Sequence, residues 1–267
     1  MGADASGGDA TRDLALLTEA VRAAGETALG FRSGSVRQWS KGDGSPVCEV
    51  DIAVDEALSA SLRPARPGYG WISEELGGAS VPGRAFVVDP IDGTRAFLAG
   101  DDGWSVVAAV VEAGRPVAAA VYRPTRRELY AAALGGGAML NGVPIRISGR
   151  AGLSGATVAM PAVLWRDAGF RDAGVKKGGW IASLALRLCR VARGSPDAVV
   201  TKPGPHHWDL AAADLIVHEA GGRLVNFAGT APRYDAAETA HGAIVAGPAP
   251  LAEALRTMAA RHAEGAA

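Results

Sequence analysis

The chain contains the stretch Asp89-Pro90-Ile91-Asp92-Gly93-Thr94 directly after a short apolar run, residues 85–88. The apolar run is typical of a buried strand. Because proline has no backbone N–H group to donate to a sheet, we expect this strand to end near Asp89. Asp89 and Asp92 would then lie in a loop at a strand end, where sites in α/β folds are usually found.

The two carboxylates of this stretch would repel each other unless a cation lay between them. Carboxylate oxygens suit Mg²⁺, which typically leaves coordination positions for water and for a substrate phosphate. The backbone N–H groups of Gly93 and Thr94 could face phosphate oxygens, and the Thr94 hydroxyl could hold a water molecule. A plain turn built on Asp92 and Gly93 is the alternative from this stretch alone.

The chain has 267 residues, 48% of them hydrophobic, which is enough for one large domain or two subdomains. Its formal net charge is −1 with both signs interspersed, which argues against a nucleic-acid polymer as a partner. The cysteines, Cys48 and Cys189, are far apart and suit a reducing cytoplasm. The sequence has no apolar run long enough to span a membrane and no secretory signal. We therefore expect a cytoplasmic protein without a membrane partner.

The first half of the chain predicts an α+β subdomain over residues 11–150. Residues 1–10 are expected to form a flexible leader, followed by a helix over about residues 12–32. A second helix is predicted over residues 50–62, ending before Pro64. Short apolar runs predict the strands, at residues 69–73, 85–89, 105–111, 117–122 and 128–133.

The second half, residues 151–267, predicts an α/β subdomain because strand and helix patterns alternate there. The predicted strands are residues 157–160, 198–201, 223–226 and 243–246. The predicted helices are residues 182–192, 208–220 and 249–261. Such alternation favours a more parallel sheet covered on both faces, and the whole chain is predicted to have an α/β fold.

Three other positions carry acidic residues in suggestive contexts. Glu74 follows an apolar run, as Asp89 does, whereas Asp51 and Asp209 lie where helices are predicted to start. Taken one at a time, each could be a solvated charge or a helix cap.

Taken together, these stretches resemble the inositol monophosphatase family, which includes 3'(2'),5'-bisphosphate nucleotidases and some fructose-1,6-bisphosphatases. The family pattern W-x-x-D-P-[IL]-D-G-T is matched through Thr94, with Phe86 in place of the tryptophan. The pattern W-D-x-A-A is matched from Trp208 to Ala212. Two shorter elements are matched by Ser73-Glu74-Glu75 and by residues 41–51, where Cys48 replaces a threonine. The resemblance covers residues 12–262 and implies a layered αβαβα sandwich.

The resemblance implies a Mg²⁺-dependent phosphomonoesterase with two to three ions in each active site. One ion would be held by Glu74, Asp89 and the carbonyl of Ile91. A second would be held by Asp89, Asp92 and Asp209, and a third would lie near Glu74. Ions on both sides of a phosphoryl group can stabilise the attacking and leaving oxygens.

The resemblance also implies catalytic roles for Glu74, Thr94 and Asp51. Glu74 and Thr94 would orient a metal-activated water, while Asp51 would accept a hydrogen bond from the Thr94 hydroxyl. The N–H groups of Gly93 and Thr94 would bind phosphate oxygens, and no covalent phosphoenzyme is implied. A homodimer and sensitivity to lithium are expected on the same basis.

The substrate is expected to be a small phosphate ester. Lys202 stands where inositol monophosphatases tend to have a glutamate, and a cation there suggests a second phosphate on the substrate. The chain thus looks closest to the bacterial 3'(2'),5'-bisphosphate nucleotidase branch, with Ser183 and His207 as further substrate-binding residues. Inositol monophosphate, fructose 1,6-bisphosphate and histidinol phosphate are alternative substrates, and Lys202 could equally be a surface residue. A catalytically inactive binding protein on the same fold is the alternative from a different class.

Overall fold

The computed structural model describes residues 3–31, 36–40, 42, 44, 46–79 and 83–265 of the chain. Its helices are α1 (Ala3–Gly30), α2 (Glu49–Ala65), α3 (Thr94–Leu98), α4 (Ala168–Asp172), α5 (Leu184–Ala192), α6 (His207–Glu219) and α7 (Ala249–Gly265). In the N-terminal half the strands are β1 (Gln38–Ser40), β2 (Pro46–Cys48), β3 (Gly70–Ser73), β4 (Gly77–Ala79), β5 (Arg84–Asp92), β6 (Ser105–Glu112), β7 (Arg115–Arg123), β8 (Glu128–Ala133), β9 (Ala138–Leu140) and β10 (Val143–Pro144). In the C-terminal half they are β11 (Thr157–Ala159), β12 (Lys176–Lys177), β13 (Ala198–Val200), β14 (Arg223–Asn226) and β15 (Ile244–Gly247). Among these described helices, none is long and apolar enough to cross a membrane.

Most strands of the N-terminal half form an eight-stranded sheet in the order β10-β9-β8-β7-β6-β5-β3-β4. Its pairs are antiparallel except for β3 and β5, which run parallel. Strand β5 therefore lies inside the sheet. Its side chains alternate between two cores, since Phe86 and Val88 face one side while Val87 faces the other. Burial on both faces explains why the strand is continuously apolar.

The C-terminal strands form a five-stranded sheet in the order β12-β11-β13-β15-β14. Strand β11 runs parallel to β12 and β13, but β15 runs antiparallel to both β13 and β14. The small sheet is thus more parallel than the large one, as predicted, but its pairs with β15 are antiparallel. The alternation of strands and helices ends at β14, because the segment before β15 contains no helix and returns the chain antiparallel to β14.

Helices and sheets form the expected α–β–α–β–α layers. Helices α1 and α2 cover one face of the large sheet, where Leu17 and Leu58 pack with Phe86. Helices α5 and α6 lie between the two sheets and share one core with both of them. Helix α7 covers the outer face of the small sheet through Leu251 and Leu255.

The connection between the two sheets runs from Pro144 to Thr157. A division of the chain near residue 150 would fall in this connection, and we keep that division as a proposal. The two halves do not have separate cores, because α5 and α6 pack against β6 and β7 as well as against the small sheet.

Several boundaries differ from the sequence prediction. Helix α1 begins at Ala3, so the predicted leader is helical from that residue on, and Met1 and Gly2 lie outside the described residues. Helix α2 continues through Pro64 to Ala65, because a proline in the last turn removes few helical hydrogen bonds.

Strand β5 continues past Asp89 to Asp92, which the sequence analysis placed in a loop. Asp89 pairs with Val107 and Asp92 with Ser105, so β5 carries one extra residue against β6. Pro90 is tolerated in this bulge, since a bulged residue need not donate to the ladder.

Candidate functional site

The carboxylates of Asp89, Asp92 and Asp209 meet at the end of β5. Ligand oxygens from the three residues all lie within 4.8 Å of one another. Asp89 and Asp92 are almost fully buried. The bulge in β5 places both of these side chains near the N-terminus of α6, which carries Asp209.

Asp209 is oriented by the first turn of α6. It is the third residue after His206, which precedes the helix in an extended conformation, and its carboxylate accepts the His206 N–H at 2.6 Å. A carboxylate that caps its own helix also benefits from the positive end of the helix dipole. Because a carboxylate has two oxygens, capping through Oδ2 leaves Oδ1 available to a cation.

Asp51 occupies the equivalent position in α2. One of its oxygens accepts the Cys48 N–H at 2.7 Å, and the other lies 3.0 Å from the Thr94 hydroxyl. The same hydroxyl lies 3.1 Å from the carbonyl oxygen of Ile91. Thr94 thus donates its proton inside the protein, which leaves the oxygen lone pairs to accept a hydrogen bond from a water molecule.

Thr94 is presented by a turn that requires glycine. Gly93 has a φ of 97°, in the left-handed region, and a Cβ atom there would lie 3.0 Å from the carbonyl oxygen of Gly103. It would also lie 3.1 Å from the Ser183 nitrogen. A side chain at this position would therefore push the turn that carries Thr94 away from α5.

Glu74 follows β3 in a turn that Asp55 clamps from α2. The Oδ2 atom of Asp55 accepts the Ser73 hydroxyl and, at 2.9 Å, the Leu76 N–H. The negative charge of Glu74 helps to raise the pKa of Asp89, which places Glu74 in the same cluster. The sequence analysis missed Asp55. Its signal is the spacing of four residues from Asp51, which puts both carboxylates on one face of α2.

Asp92 is tied to the N-terminus of α5. Its carboxylate accepts hydrogen bonds from the Ser183 hydroxyl at 2.6 Å, the Leu184 N–H at 3.1 Å and the Ala185 N–H at 2.7 Å. Ser183, which was expected to bind substrate, is instead fully buried. Its hydroxyl also accepts the Leu186 N–H at 3.0 Å. The geometry therefore assigns the Ser183 side chain to holding Asp92 in place.

Burial and mutual repulsion raise the pKa values of the clustered carboxyl groups. The pKa of Asp89 lies well above its ordinary value, first because of burial and then because of the charges of Glu74 and Asp92. Burial also raises the pKa of Asp92, and burial with the charge of Asp92 raises the pKa of Asp209 to about 8.

A divalent cation fits this set of donors. The Oδ1 atom of Asp89 is buried without a hydrogen-bond partner, which is costly unless another group satisfies it. Its neighbours are carboxylate oxygens that repel one another, and Mg²⁺ binds such oxygens. The residues present therefore match the ion that the sequence motif predicts.

Arg187 on α5 brings a positive charge to this cluster. Its side chain is only 8% exposed, and its charge acts on both Asp92 and Asp209. Burial lowers its pKa. The guanidinium carbon lies 3.9 Å from the ring centre of Trp180. The sequence analysis missed both residues, although Arg187 lies one helical turn after Ser183.

The remaining predicted substrate residues lie in different surroundings. Lys202 is exposed and borders a cavity of about 690 Å³ together with Trp180. His207 is fully buried, with its Nδ1 atom 2.8 Å from His241 Nε2 and its Nε2 atom 3.2 Å from the Ala236 carbonyl. His207 thus packs inside the protein. The first positions of the predicted Lys41–Asp51 element, Lys41 and Ser45, lie outside the described residues.

Known proteins match nearly the whole chain. A sequence profile of the inositol monophosphatase family matches residues 9–265. A protein of Streptomyces griseus named glucose-1-phosphate thymidylyltransferase is 35% identical over 231 residues, which are 83% of this chain and 88% of that protein. A histidinol-phosphatase of Mycobacterium tuberculosis is 34% identical over 217 residues, which are 77% of this chain and 83% of that protein.

A solved structure shows the same fold. The inositol monophosphatase of Thermotoga maritima superimposes with a TM-score of 0.82 at 25% identity, covering 95% of this chain and 99% of that one. The names of these similar proteins refer to different reactions and substrates, so they do not select a substrate for this chain. The matching profile, the layered fold and the carboxylate cluster together show that the chain belongs to the inositol monophosphatase family of phosphatases.

Proposed function

We propose that this protein is a Mg²⁺-dependent phosphomonoesterase that hydrolyses a small phosphate ester by attack of water. The observation that carries the proposal is the carboxylate group of Asp89, Asp92 and Asp209 beside the hydrogen-bonded pair of Thr94 and Asp51. Such a site combines cation ligands with a hydroxyl that can orient a nucleophile.

Two to three Mg²⁺ ions would be held by Glu74, Asp89, Asp92, Asp209 and the Ile91 carbonyl. When bound, Mg²⁺ would neutralise the carboxylates and the substrate phosphate and lower the pKa of a nearby water molecule.

The side chains of the protein would orient that water. Asp51 accepts a hydrogen bond from the Thr94 hydroxyl, so the Thr94 oxygen would accept a hydrogen bond from the water. The Glu74 carboxylate would accept the second hydrogen bond of the water. The two bonds together would fix the direction of the water's lone pair. The N–H groups of Gly93 and Thr94 would bind phosphate oxygens and hold the phosphorus atom in line. No covalent phosphoenzyme is required.

For the substrate, we propose a 3'(2'),5'-bisphosphate nucleotide. Support comes from the exposed cation of Lys202, which can bind a second phosphate where an acidic residue would repel it. Inositol monophosphate, fructose 1,6-bisphosphate and histidinol phosphate are the competing substrates, and the last is favoured by the name of the M. tuberculosis relative. A homodimer in the cytoplasm completes the proposal.

Phosphate release from a substrate panel tests this function. The panel holds adenosine 3',5'-bisphosphate, inositol 1-phosphate, fructose 1,6-bisphosphate and histidinol phosphate, each with Mg²⁺ and with a chelator. We expect Asp89→Asn to abolish release, because Asp89 would contribute its charge to both proposed ion sites. Asp101→Asn at an exposed position should leave release unchanged.

Three results would contradict the proposal in different ways. Activity that survives the chelator or Asp89→Asn would rule out the metal mechanism. A preference for inositol 1-phosphate would leave the metal mechanism standing and remove the argument from Lys202. Binding of a panel member without any phosphate release would instead favour the inactive binding protein.

A further inference from the structure

A cavity of about 690 Å³ lies on the side of Trp180 and Lys202. Apolar residues such as Met160 form part of its wall, and Trp165 and Lys177 also border it. Its volume lies in the range of small-molecule sites, about 300–1,000 Å³. The cavity thus offers aromatic rings and positive charges to the same ligand.

Trp180 connects this cavity to the candidate active site. One face of its ring lies against the guanidinium group of Arg187, at 3.9 Å. Arg187 in turn lies close enough to Asp92 and Asp209 for their charges to act on its pKa. Trp180 and the buried Arg187 therefore link the cavity to the carboxylates of Asp92 and Asp209.

Trp180 is also open to solvent. It is 58% exposed although it is a large apolar side chain. Contact with Arg187 fixes the ring from one side, so its orientation is set before a ligand arrives, and its electron-rich surface remains available on the other side. Lys177, in contrast, already lies 5.7 Å from the Trp165 ring centre, so its charge is held at the cavity wall.

We propose that Trp180 determines substrate specificity by stacking on a planar nitrogen heterocycle of the phosphate ester. In a bisphosphate nucleotide, Lys177 and Lys202 would bind the second phosphate, which histidinol phosphate lacks. This inference rests on the proposed phosphatase function and adds the class of the leaving group. A nucleobase and the imidazole of histidinol phosphate share the required planar ring, whereas inositol is a saturated ring that cannot stack in this way.

The test compares Trp180→Ala with the conservative variant Trp180→Phe. For the aromatic ester that the wild type hydrolyses best, we expect Trp180→Ala to lower kcat/KM by roughly tenfold, mainly through KM, because stacking contributes about 1–3 kcal/mol per ring. Trp180→Phe should retain most of the wild-type kcat/KM, because it keeps an aromatic ring. For inositol 1-phosphate, kcat/KM should stay within about twofold of wild type, because stacking stabilises neither the ground state nor the transition state of that reaction. Adenosine 3',5'-bisphosphate and histidinol phosphate, assayed separately, distinguish the two sources of the ring.

A remote control and a binding measurement complete the design. Leu134→Ala removes another exposed apolar side chain, directly after β8. This variant should hydrolyse every substrate at the wild-type rate. Calorimetric titration with adenosine 3',5'-bisphosphate and with histidinol phosphate tests stacking even without turnover, and Trp180→Ala should weaken the tighter of the two by roughly tenfold.

The outcomes separate the two proposals. If the wild type releases phosphate from no ester, the phosphatase function fails, and the titrations alone decide on stacking. If the wild type is active but Trp180→Ala lowers all esters equally, or none, the stacking role is overturned and the phosphatase function stands.

Discussion

Three carboxylates of the candidate site accept backbone N–H groups at the start of a helix. The donors are Cys48 for Asp51, Leu184 and Ala185 for Asp92, and His206 for Asp209. Hydrogen bonds to a charged group are stronger than neutral ones and favour the ionised form. They therefore hold the acidic side chains in position for a cation, against the burial that raises the pKa values of Asp92 and Asp209.

Replacing Ser183 by alanine should weaken the enzyme without removing any proposed metal ligand. The variant loses the 2.6 Å hydrogen bond to Asp92 and the side-chain cap of α5. We expect about 1–2 kcal/mol lower free energy of unfolding. We also expect roughly tenfold lower kcat/KM, because a hydrogen bond to a charged group contributes about 1.5–3 kcal/mol. Phosphate release and urea unfolding measure the two effects.

Ser105→Ala is the matched control for that prediction. The Ser105 hydroxyl lies 3.0 Å from the Ser183 hydroxyl and has no hydrogen bond to Asp92 among the described contacts. Ser183→Thr keeps the hydroxyl and should retain most activity. Equal losses in Ser183→Ala and Ser105→Ala would show that Asp92 does not depend on Ser183.

At the level of single residues, the sequence predicted those site residues whose neighbours in the chain indicate their role. Asp89 and Asp92 stand beside Gly93 and Pro90, so turn chemistry and charge repulsion are readable from neighbours in the chain. The surroundings of His207 were not readable, because its partner His241 lies 34 positions further on. Burial of a polar residue by distant partners leaves no local pattern.

Among the elements, the turn after β3 depends on α2 for its shape. Asp55 bonds to the turn through Ser73 and Leu76, and its Oδ1 atom is buried without a hydrogen-bond partner. Asp55 thereby holds both sides of the turn that contains Glu74. The role belongs to a pair of elements rather than to one residue.

Replacing Asp55 by alanine should raise the Mg²⁺ concentration needed for activity. Without the clamp, the Leu76 N–H is left unsatisfied at a cost of about 1–3 kcal/mol, and Glu74 is no longer held toward the cluster. We expect a several-fold higher half-saturating Mg²⁺ concentration in phosphate release. Asp55→Asn keeps an acceptor oxygen and should raise the half-saturating Mg²⁺ concentration less. A lower melting temperature with unchanged Mg²⁺ dependence would show that Asp55 is structural only.

Helix α6 buries a second acidic group, away from the metal ligands. Asp214 accepts the Tyr234 hydroxyl at 2.9 Å, and burial raises the pKa of Asp214 from 3.8 to about 6. Between these values, the folded protein holds a proton that the unfolded chain has released. The free energy of unfolding must therefore fall as the pH rises through this window.

Asp214→Asn should remove that part of the pH dependence. The amide stays neutral at every pH and still accepts the Tyr234 hydroxyl, so the variant should gain stability relative to wild type by up to about 3 kcal/mol between pH 4 and pH 7. Urea unfolding at both pH values measures the difference. Tyr234→Phe, which removes the hydroxyl but keeps Asp214, is the control and should retain the pH dependence. Parallel curves for wild type and Asp214→Asn would contradict the assignment.

The elements that the sequence predicted best are those with strong periodicity. Strands β8 and β14 have the predicted bounds, residues 128–133 and 223–226. The short strands β4 and β12 were missed, because two or three residues show no alternation. The bulge in β5 was also missed, since Pro90 signals the end of a strand unless the partner strand can absorb an extra residue.

On the scale of the whole molecule, the candidate site joins the two halves of the chain. Asp89 and Asp92 come from the large sheet, whereas Asp209 comes from α6, which lies between the sheets. A cation bound by all three must therefore stabilise the packing of the halves as well as the site. Ligands that bind only the folded state raise its stability by mass action.

Mg²⁺ should raise the melting temperature, and more so at higher pH. Without metal, the pKa of Asp209 is raised from 3.8 to about 8, so near pH 6 the folded protein holds a proton that the ion must displace. As the pH rises through about 8, the metal-free fold loses stability and competition from protons disappears. Thermal scans with Mg²⁺ and with a chelator at pH 6 and pH 8.5 measure the difference, and Asp209→Asn should flatten its pH dependence. A Mg²⁺ effect that is equal at both pH values, or that persists unchanged in Asp209→Asn, would mean that Asp209 does not bind the ion.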